Sequence, residues 1–223
     1  MSNSPDSSIR ILRLGDSGSS RSRAAHPAWG RWKWEATHDP LTDLANRRLL
    51  EDRLARELTR WRRSRAPLTV LFIDLDRFGA INGRLGHQVG DAVLVHTAER
   101  LQQVVRNGDT VARLGGDEFV VLIPDLAPAM AVATAERARS AIAQPILLED
   151  PHGSVIEVRV TASIGVAVAA DDDGPALLHR SDLAMYEAKR TGGDRCRLLH
   201  ALPARPPCVS GGEGGRSIAS RGG

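Results

Sequence analysis

The sequence has few of the residues that are typical of secreted, zinc-binding or membrane-spanning chains. It contains two cysteines, Cys196 and Cys208, and their separation of twelve positions matches neither a zinc motif nor a disulfide framework. A reducing, cytoplasmic environment is therefore the expectation. The first thirty residues lack the apolar core of a secretory signal, and no apolar run approaches the length of a membrane span. We therefore expect a soluble protein without a membrane partner.

Lysine is also scarce, since Lys33 and Lys189 are the only two and the remaining basic residues are arginine. The formal net charge is +3 over 223 residues, and 26% of the residues are charged, which is ordinary for a globular protein. This small positive charge fits an anionic ligand and does not require nucleic acid. A solvated surface of mixed charge explains it equally well. The length allows one domain with tails, or two small domains.

Both ends of the chain are rich in Ser, Arg and Gly and have the composition of disordered segments. We expect a disordered tail and short linker over residues 1–35, a folded domain over 36–200, and a second disordered tail over 201–223. Three tryptophans precede the domain, and they fit either the last turn of a connecting helix or part of a partner surface: Trp29, Trp32 and Trp34.

Between residues 36 and 200, the spacing of apolar residues alternates between the helical and the strand period. The apolar residues from Leu50 to Trp61 predict a first helix, with Asp43 as its N-cap. The same patterns predict helices around 94–105, 127–143 and 176–190, and strands at 68–73, 111–123 (a Gly-Gly hairpin) and 155–168. We expect an α+β fold with a helix-rich layer over one mixed sheet.

The predicted hairpin turn at Gly115–Glu118 combines two features of a phosphate-binding site. Glycines lack a Cβ atom, so that backbone N–H groups can approach a phosphate closely, and two carboxylates follow. A second acidic pair, Asp74 and Asp76, ends the strand at 68–73. If the two strands are neighbours, Asp74 and Asp117 converge, as Mg²⁺ requires of its oxygen ligands. By itself, the turn is equally typical of a hairpin with acidic, solvent-facing residues.

Five motifs in order along the chain resemble the GGDEF family, whose members condense two GTP molecules into cyclic di-GMP. The resemblance spans about residues 36–200 and implies a mixed, largely antiparallel central sheet flanked by helices, in the palm or ferredoxin-like fold of nucleotidyl cyclases. It implies the activity of a diguanylate cyclase. The matching segments are His38-Asp39-Pro40-Leu41-Thr42, Asp74-Leu75-Asp76-Arg77-Phe78 with Asn82, Gly86-His87 and Gly90-Asp91, Gly115-Gly116-Asp117-Glu118-Phe119, Ser163-Ile164-Gly165, and 182–189.

The resemblance also implies which residues carry the chemistry. Asp74, the backbone carbonyl of Leu75 and Asp117 would hold Mg²⁺, or Mn²⁺ in its place, on the triphosphate. Asp117 or Glu118 would help to deprotonate the attacking 3′-hydroxyl, with pyrophosphate as the leaving group. The family builds its active site from two subunits, each holding one GTP, so a homodimer is expected. The residues implied to bind the substrate are Phe78, Asn82, His87, Asp91, Gly115, Gly116 and Lys189.

Arg106 and Asp109 lie shortly before the hairpin and resemble the family's R-x-x-D site, at which the product cyclic di-GMP inhibits the enzyme. Arg113 falls where the family often adds a second basic contact to this site. Outside this context, the same four residues would fit a solvated helix end.

Two departures from the family pattern concern cations that contact the phosphates. Gly79 stands where lysine is usual, and Gly193 stands where arginine is usual. Arg77 or Arg190 lies close enough along the sequence to substitute. Two alternatives to an active cyclase therefore remain: a non-catalytic module that binds GTP or cyclic di-GMP, and a cyclase of another nucleotide. The predicted guanine contacts at Asn82 and Asp91 count against the second alternative.

Overall fold

The computed structural model describes residues 9–12, 34–150, 152–171 and 173–200, and the rest of both predicted tails lies outside these ranges. Within them, no helix is long and apolar enough to cross a bilayer. The helices are α1 (Arg47–Ser64), α2 (Phe78–Leu85), α3 (His87–Val104), α4 (Pro128–Ile142) and α5 (Gly174–Arg190). The strands are β1 (Arg10–Leu12), β2 (Leu68–Leu75), β3 (Thr110–Gly115), β4 (Glu118–Pro124), β5 (Ile146–Glu149), β6 (Val155–Val158), β7 (Ala162–Val168) and β8 (Arg195–Leu199).

The main sheet has five strands in the order β3-β4-β2-β7-β8. All neighbouring pairs are antiparallel except β7 and β8, which are parallel. Strand β2 is central, and all eight of its residues are buried, because helices cover it on both sides. The α+β fold with a mixed, largely antiparallel sheet is therefore confirmed.

Alternate residues of β2 enter two separate hydrophobic cores. Leu71 and Ile73 face one side, where α3 and α4 pack. Val70 and Phe72 face the other side, where α1 and α5 pack. The prediction of a single helix-rich layer was wrong, because β2 is apolar on both faces and each face requires its own cover.

A second, three-stranded sheet has the order β1-β5-β6, so the prediction of one sheet was also wrong. The segment at 155–168 splits at residues 159–161, and its two halves, β6 and β7, join different sheets. Strand β1 lies within the segment 1–35 and pairs with β5, so that Ile11 lies opposite Leu148.

The N-cap of helix α1 lies three residues later than predicted. The N-cap is Asn46, whose side chain accepts a hydrogen bond from Leu49 N. Asp43 instead adopts a left-handed conformation with φ of 59° and accepts a 2.6 Å hydrogen bond from Trp34 Nε1. The Trp34 ring also stacks on His38, with 3.4 Å between ring centroids. Trp34 thus packs on the start of the domain, whereas Trp29 and Trp32 lie outside the described residues.

Candidate active site

The hairpin between β3 and β4 carries the predicted catalytic turn at one end of the central strand. Gly115 and Gly116 have φ values of 144° and 51°, which L-residues with side chains rarely adopt. A Cβ atom at either position would meet nothing within 4 Å, so the turn is open to an approaching ligand. This open backbone is what a phosphate contact requires.

The strands that carry the two acidic pairs are neighbours, as the predicted convergence required. Asp74 on β2 lies directly opposite Glu118 on β4. The next backbone N–H, that of Leu75, donates to the carbonyl of Asp117 at 3.4 Å. The register therefore brings Asp74, Leu75, Asp117 and Glu118 together at one edge of the sheet.

Lys189 completes this acidic cluster from helix α5. Its Nζ donates to Asp74 Oδ1 at 2.6 Å. Burial raises the pKa of Asp74, and the negative charge of Asp117 adds to this effect, while Lys189 opposes it. Burial acts against the charged form of Lys189, but its hydrogen bond to Asp74 outweighs burial and raises the pKa of the amine. The positive charge of one lysine thus partly compensates several carboxylates, and the cluster retains an excess of negative charge.

Glu118 is affected in the same direction as Asp74. Burial raises the pKa of the Glu118 carboxyl, and the charges of Asp74 and Asp182 raise it further. Asp182 lies on α5, and sequence analysis assigned it no role. Its spacing of seven residues from Lys189 could have identified it, because this spacing places both side chains on one helical face.

The donor set at this edge fits a magnesium ion bound together with a triphosphate. Within the described ranges, no group of three or more His, Cys, Asp or Glu side chains is arranged to hold a metal ion. Mg²⁺ in nucleotide sites is commonly held by one or two carboxylates plus the substrate phosphates. Asp74 and Asp117 supply such a pair, and the excess negative charge around them favours a cation.

The surroundings of Asp76 differ from those of Asp74, although only Leu75 separates the two residues in the sequence. Its carboxylate accepts hydrogen bonds from Thr161 Oγ1 and Ser163 Oγ, both at 2.7 Å, and from Asp194 N at 2.8 Å. These bonds tie the end of β2 to β7 and to the turn before β8. Asp76 therefore anchors this corner of the sheet.

Helices α2 and α3 place a second predicted cluster beyond the end of β2. Asn82 Oδ1 is buried and has no hydrogen-bond partner among the residues that the structure describes. A Cβ atom at Gly90 would lie 1.8 Å from this oxygen and 3.2 Å from Phe78 Cζ, so only glycine allows this packing. Because an unpaired buried acceptor is destabilising, Asn82 is a strong candidate for binding a ligand donor. His87 and Asp91 are exposed on the first turns of α3.

Arg113 holds the Gly115-Gly116 turn through hydrogen bonds. Its guanidinium donates to the Gly116 carbonyl through Nε at 3.0 Å and through Nη2 at 2.8 Å. Its Nη1 donates to both oxygens of Asp39, at 3.0 and 3.2 Å. The hydrogen bonds from Thr42 and Arg113 outweigh the effect of burial and lower the pKa of Asp39. The opening motif of the domain is thus joined to the turn through Arg113.

Arg106 and Asp109 lie together, whereas the hydrogen bonds of the Arg113 guanidinium go to Gly116 and Asp39. Arg106 N donates to Asp109 Oδ2 at 3.0 Å, and Nε donates to Oδ1 at 3.4 Å. Arg106 Nη2 also donates to the Pro124 carbonyl. The side chain of Asp109 is only 4% exposed, whereas that of Arg106 is 57% exposed. Arg106 is therefore the accessible member of this pair.

The two glycines that replace expected cations differ in their surroundings. Gly79 is exposed, and a Cβ atom there would meet nothing within 4 Å. Gly193 is buried with φ of 72°, and a Cβ atom would lie 2.9 Å from Asp76 Oδ1. The turn before β8 thus requires glycine at position 193, whereas position 79 accepts a larger residue.

Comparison with known proteins adds independent information about residues 36–195. This segment matches the family described as "Diguanylate cyclase, GGDEF domain". Over 165 residues the chain is 46% identical to diguanylate cyclase TpbB of Pseudomonas aeruginosa, which covers 74% of this chain and 38% of that protein. It is 36% identical over 168 residues to diguanylate cyclase DosC of Escherichia coli, covering 75% and 36% of the respective chains. The chain therefore spans less than half the length of these curated relatives.

Solved structures resemble the fold as well as the sequence. The GGDEF domain of TpbB from Pseudomonas aeruginosa superposes with a TM-score of 0.67 at 44% identity, covering 72% of this chain and 99% of that one. A coiled-coil and GGDEF structure of DgcB from Caulobacter crescentus, in complex with c-di-GMP, gives a TM-score of 0.71 at 28% identity, covering 77% and 90%.

Proposed function

Because the chain belongs to the GGDEF family of diguanylate cyclases, we propose that it condenses two GTP molecules into cyclic di-GMP and releases two pyrophosphates. The observation that carries this proposal is the register of β2 and β4, which opposes Asp74 and Glu118 beside the open Gly115-Gly116 turn. An acidic edge next to an exposed backbone turn suits a metal-bound triphosphate.

Each half of the proposed reaction is an in-line displacement at an α-phosphorus. The 3′-oxygen of one GTP forms a bond to the α-phosphorus of the other, the bond to pyrophosphate breaks, and the hydroxyl proton passes to a base. Glu118 is suited to accept this proton, since its raised pKa makes the carboxylate a stronger base. Mg²⁺ held by Asp74, the Leu75 carbonyl and Asp117 would neutralise the charge on the triphosphate.

Recognition of guanine is proposed for the α2–α3 corner. Guanine presents N1–H and N2–H₂ donors along one edge, and these donors require acceptors. Asn82 offers a buried and unpaired oxygen, and Asp91 offers a carboxylate nearby in the same helical pair. A purine that lacks the N2 amine would leave one acceptor unpaired, so the site should favour GTP over ATP.

The test is incubation of the purified protein with GTP and Mg²⁺, followed by mass spectrometry for cyclic di-GMP. We expect product from the parent and none from Asp74→Asn. The matched control is Asp52→Asn, which removes an exposed carboxylate on α1 that pairs only with Arg56 among the described residues. Wild-type rates in Asp74→Asn would contradict the assignment of this carboxylate.

A non-catalytic module that binds GTP or cyclic di-GMP is the second candidate. Gly79 and Gly193 favour it, because each removes a cation that the family uses on the phosphates. Removing one transition-state contact of this kind lowers rates by roughly 10²–10³. GTP binding without product in the assay above would establish this alternative.

We propose further that cyclic di-GMP inhibits the enzyme through Arg106 and Asp109. The exposed Arg106 guanidinium can bind a phosphate or a guanine edge with two hydrogen bonds. Arg106→Ala should weaken cyclic di-GMP binding by about 10- to 100-fold, as expected for a charged hydrogen bond. Titration calorimetry measures this, with GTP affinity and Arg137→Ala, an exposed arginine on α4, as controls. Equal affinity in parent and variant would mean that Arg106 is only a solvated residue.

The proposed partners follow from the reaction: GTP, cyclic di-GMP and a second copy of the chain, without nucleic acid. The cytoplasmic location expected from the two cysteines stays a prediction.

A further inference from the structure

The turn between α5 and β8 (residues 191–194) has an unusual backbone. Gly192, Gly193 and Asp194 have φ values of 120°, 72° and 47°, which are three positive values in a row. Because Asp194 carries a side chain, its left-handed conformation is unfavourable unless other contacts hold it. Helix α5 ends one residue after Lys189, so this turn follows the cation of the candidate active site directly.

Arg139 on α4 contacts the turn from a different part of the fold. Its Nη1 donates a hydrogen bond to Asp194 Oδ1 at 2.6 Å, and its Nε donates to Glu136 Oε2 at 2.8 Å. Glu136 lies one turn earlier on the same helix, so it directs the guanidinium towards the turn. The Arg139 side chain is only 24% exposed. Arg139 thus joins α4 to the left-handed residue of the turn.

The backbone of Asp194 continues this connection to the end of β2. Asp194 N donates to Asp76 Oδ2 at 2.8 Å. Gly193 lies against the same carboxylate, since a Cβ atom there would lie 2.9 Å from Asp76 Oδ1. Asp76 directly follows β2, the strand that carries Asp74. A continuous path of contacts therefore runs from Arg139 through Asp194 and Asp76 to this strand.

The same turn also holds the end of α5 that carries Lys189. Gly192 N donates to the Lys189 carbonyl at 3.3 Å, and Gly193 N donates to the Ala188 carbonyl at 3.1 Å. The Lys189 side chain in turn donates to Asp74 Oδ1 at 2.6 Å. Because the turn is bonded both to the end of α5 and to the end of β2, its conformation determines how Lys189 meets the acidic cluster.

We propose that Arg139 is a positioning residue, which holds Asp194 and thereby places the Lys189 ammonium where it binds the triphosphate. The inference rests on the proposed function, in which Lys189 contacts the phosphates. A lysine is a point charge on a flexible stem, so its direction depends on a fixed backbone and on its neighbours. Arg139 acts only through other residues, because the hydrogen bonds of its guanidinium go to Glu136 and Asp194.

The chain offers a matched control at the opposite end of β2. Asp125 also adopts a left-handed conformation, with φ of 54°, and accepts a 2.8 Å hydrogen bond from Arg60 Nη2 on α1. Its backbone N donates to the Pro67 carbonyl, just before β2 begins. Arg60→Ala therefore removes a comparable ion pair from a comparable turn, away from the acidic cluster.

The experiment measures nucleotide affinity separately from turnover. Titration calorimetry with Mg²⁺ and a non-hydrolysable GTP analogue compares the parent, Arg139→Ala, Lys189→Ala and the double variant, and thermal melts report the stability of each. We expect Arg139→Ala to weaken binding about five- to tenfold and Lys189→Ala about 10- to 100-fold, on the scale of hydrogen bonds to charged groups. If Arg139 acts through Lys189, the double variant should match Lys189→Ala within about twofold. Arg60→Ala should lower Tm to a similar extent as Arg139→Ala and bind the analogue as the parent does.

Parent-like affinity in Arg139→Ala would overturn the inference. So would a full additional loss in the double variant, since the effect of Arg139 would then not pass through Lys189. Should Arg139→Ala fail to fold, Asp194→Asn takes its place, because asparagine tolerates the left-handed conformation and keeps the backbone bond to Asp76 but removes the charge. A parent and variants that show the expected affinities but form no cyclic di-GMP contradict the proposed function and still support the role of Arg139.

Discussion

Single side chains in the acidic cluster oppose one another electrostatically. Asp74 and Glu118 lie opposite each other on β2 and β4, and Asp117 precedes Glu118 in the turn, where its carbonyl accepts a hydrogen bond from Leu75 N. Burial raises the pKa of both Asp74 and Glu118, and the surrounding carboxylates add to the shift. Such an arrangement destabilises the protein without its ligand, which is a common feature of catalytic sites.

The effect of this repulsion on stability can be tested at Glu118. Its pKa in the folded state is raised above the unfolded value, so the folded state binds the proton more tightly. The free energy of unfolding therefore falls as the pH rises from the ordinary pKa of a glutamate carboxyl, about 4, through the raised pKa of Glu118. Glu118→Gln removes this loss of folding stability, so Tm should rise at pH 7 to 8. The rise should be only about 1–2 °C, because the carboxyl is partly screened by solvent.

Thermal unfolding of parent and Glu118→Gln across this pH range measures the difference, which should vanish below about pH 4. Turnover should fall by about 10²-fold or more in the same variant. Glu51→Gln, at an exposed position of α1, is the control. A Tm below that of the parent at pH 8 would contradict the electrostatic account.

The two glycines at cation positions provide a second test with an internal control. Position 79 is open and lies in the first turn of α2, where a non-glycine residue also favours the helix. Gly79→Lys should therefore fold normally and raise turnover, by up to roughly 10²–10³-fold if one transition-state phosphate contact is restored. Gly193→Arg should lower Tm by several degrees, because Arg is strained at positive φ and its Cβ would clash with Asp76.

Initial rates at saturating GTP measure the change in turnover, and thermal melts measure the change in Tm, for both variants. No gain in Gly79→Lys would indicate that Arg77 or Arg190 already supplies the charge. A stable and more active Gly193→Arg would contradict the packing argument at that turn.

Sequence patterns identified the residues of the acidic cluster because strand ends and turns are local features. Asp74 and the Gly115-Gly116 turn could be placed in this way. The roles of Asp76 and Arg113 could not, because they depend on distant partners. Thr161, Ser163 and Asp194 bond Asp76 from other strands and turns, and the Arg113 guanidinium is held by Asp39.

The smaller sheet could not be predicted from the spacing of apolar residues, because its strands are defined by their pairing. Val155–Val158 and Ala162–Val168 read as one apolar segment, and only pairing separates them into different sheets. Likewise, Asn46 and Asp43 are both good N-cap residues, and the choice between them depends on where the chain turns. Strand β1 is only three residues long and is flanked by Ser- and Gly-rich sequence, so its pairing with β5 depends on a tertiary contact that local sequence does not determine.

Strand β1 should contribute to stability through one of its two faces. Ile11 packs against the core between the main sheet and helices α3 and α4, whereas Leu12 does not. Ile11→Asp should lower the free energy of unfolding by about 1–2 kcal/mol, which corresponds to roughly 2–6 °C in Tm. Leu12→Asp is the matched control and should have a smaller effect. Equal Tm values for Ile11→Asp and the parent would show that β1 does not support the small sheet.

The molecule as a whole presents half of the catalytic arrangement that the proposed reaction requires. One acidic cluster and one α2–α3 corner are suited to one GTP, whereas the product joins two. The open turn at Gly115-Gly116 leaves this edge accessible to another copy. Catalysis should therefore depend on the association of two chains.

This dependence predicts a particular relation between rate and protein concentration. Below the dimer dissociation constant, the fraction of chains in dimers rises in proportion to total protein, so specific activity should rise linearly and then reach a plateau. Initial rates over a 100-fold range of protein concentration, with GTP and Mg²⁺ saturating, measure this. Sedimentation of the same samples should place the midpoint of dimerisation at the midpoint of activity.

Asp74→Asn supplies a sharper test when it is titrated into a fixed amount of parent, because mixed dimers would hold one defective site. Activity should then fall below that of the parent alone, while an addition of Asp52→Asn, which keeps the site intact, should raise it. A constant specific activity from a chain that sediments as a monomer would contradict the two-site mechanism.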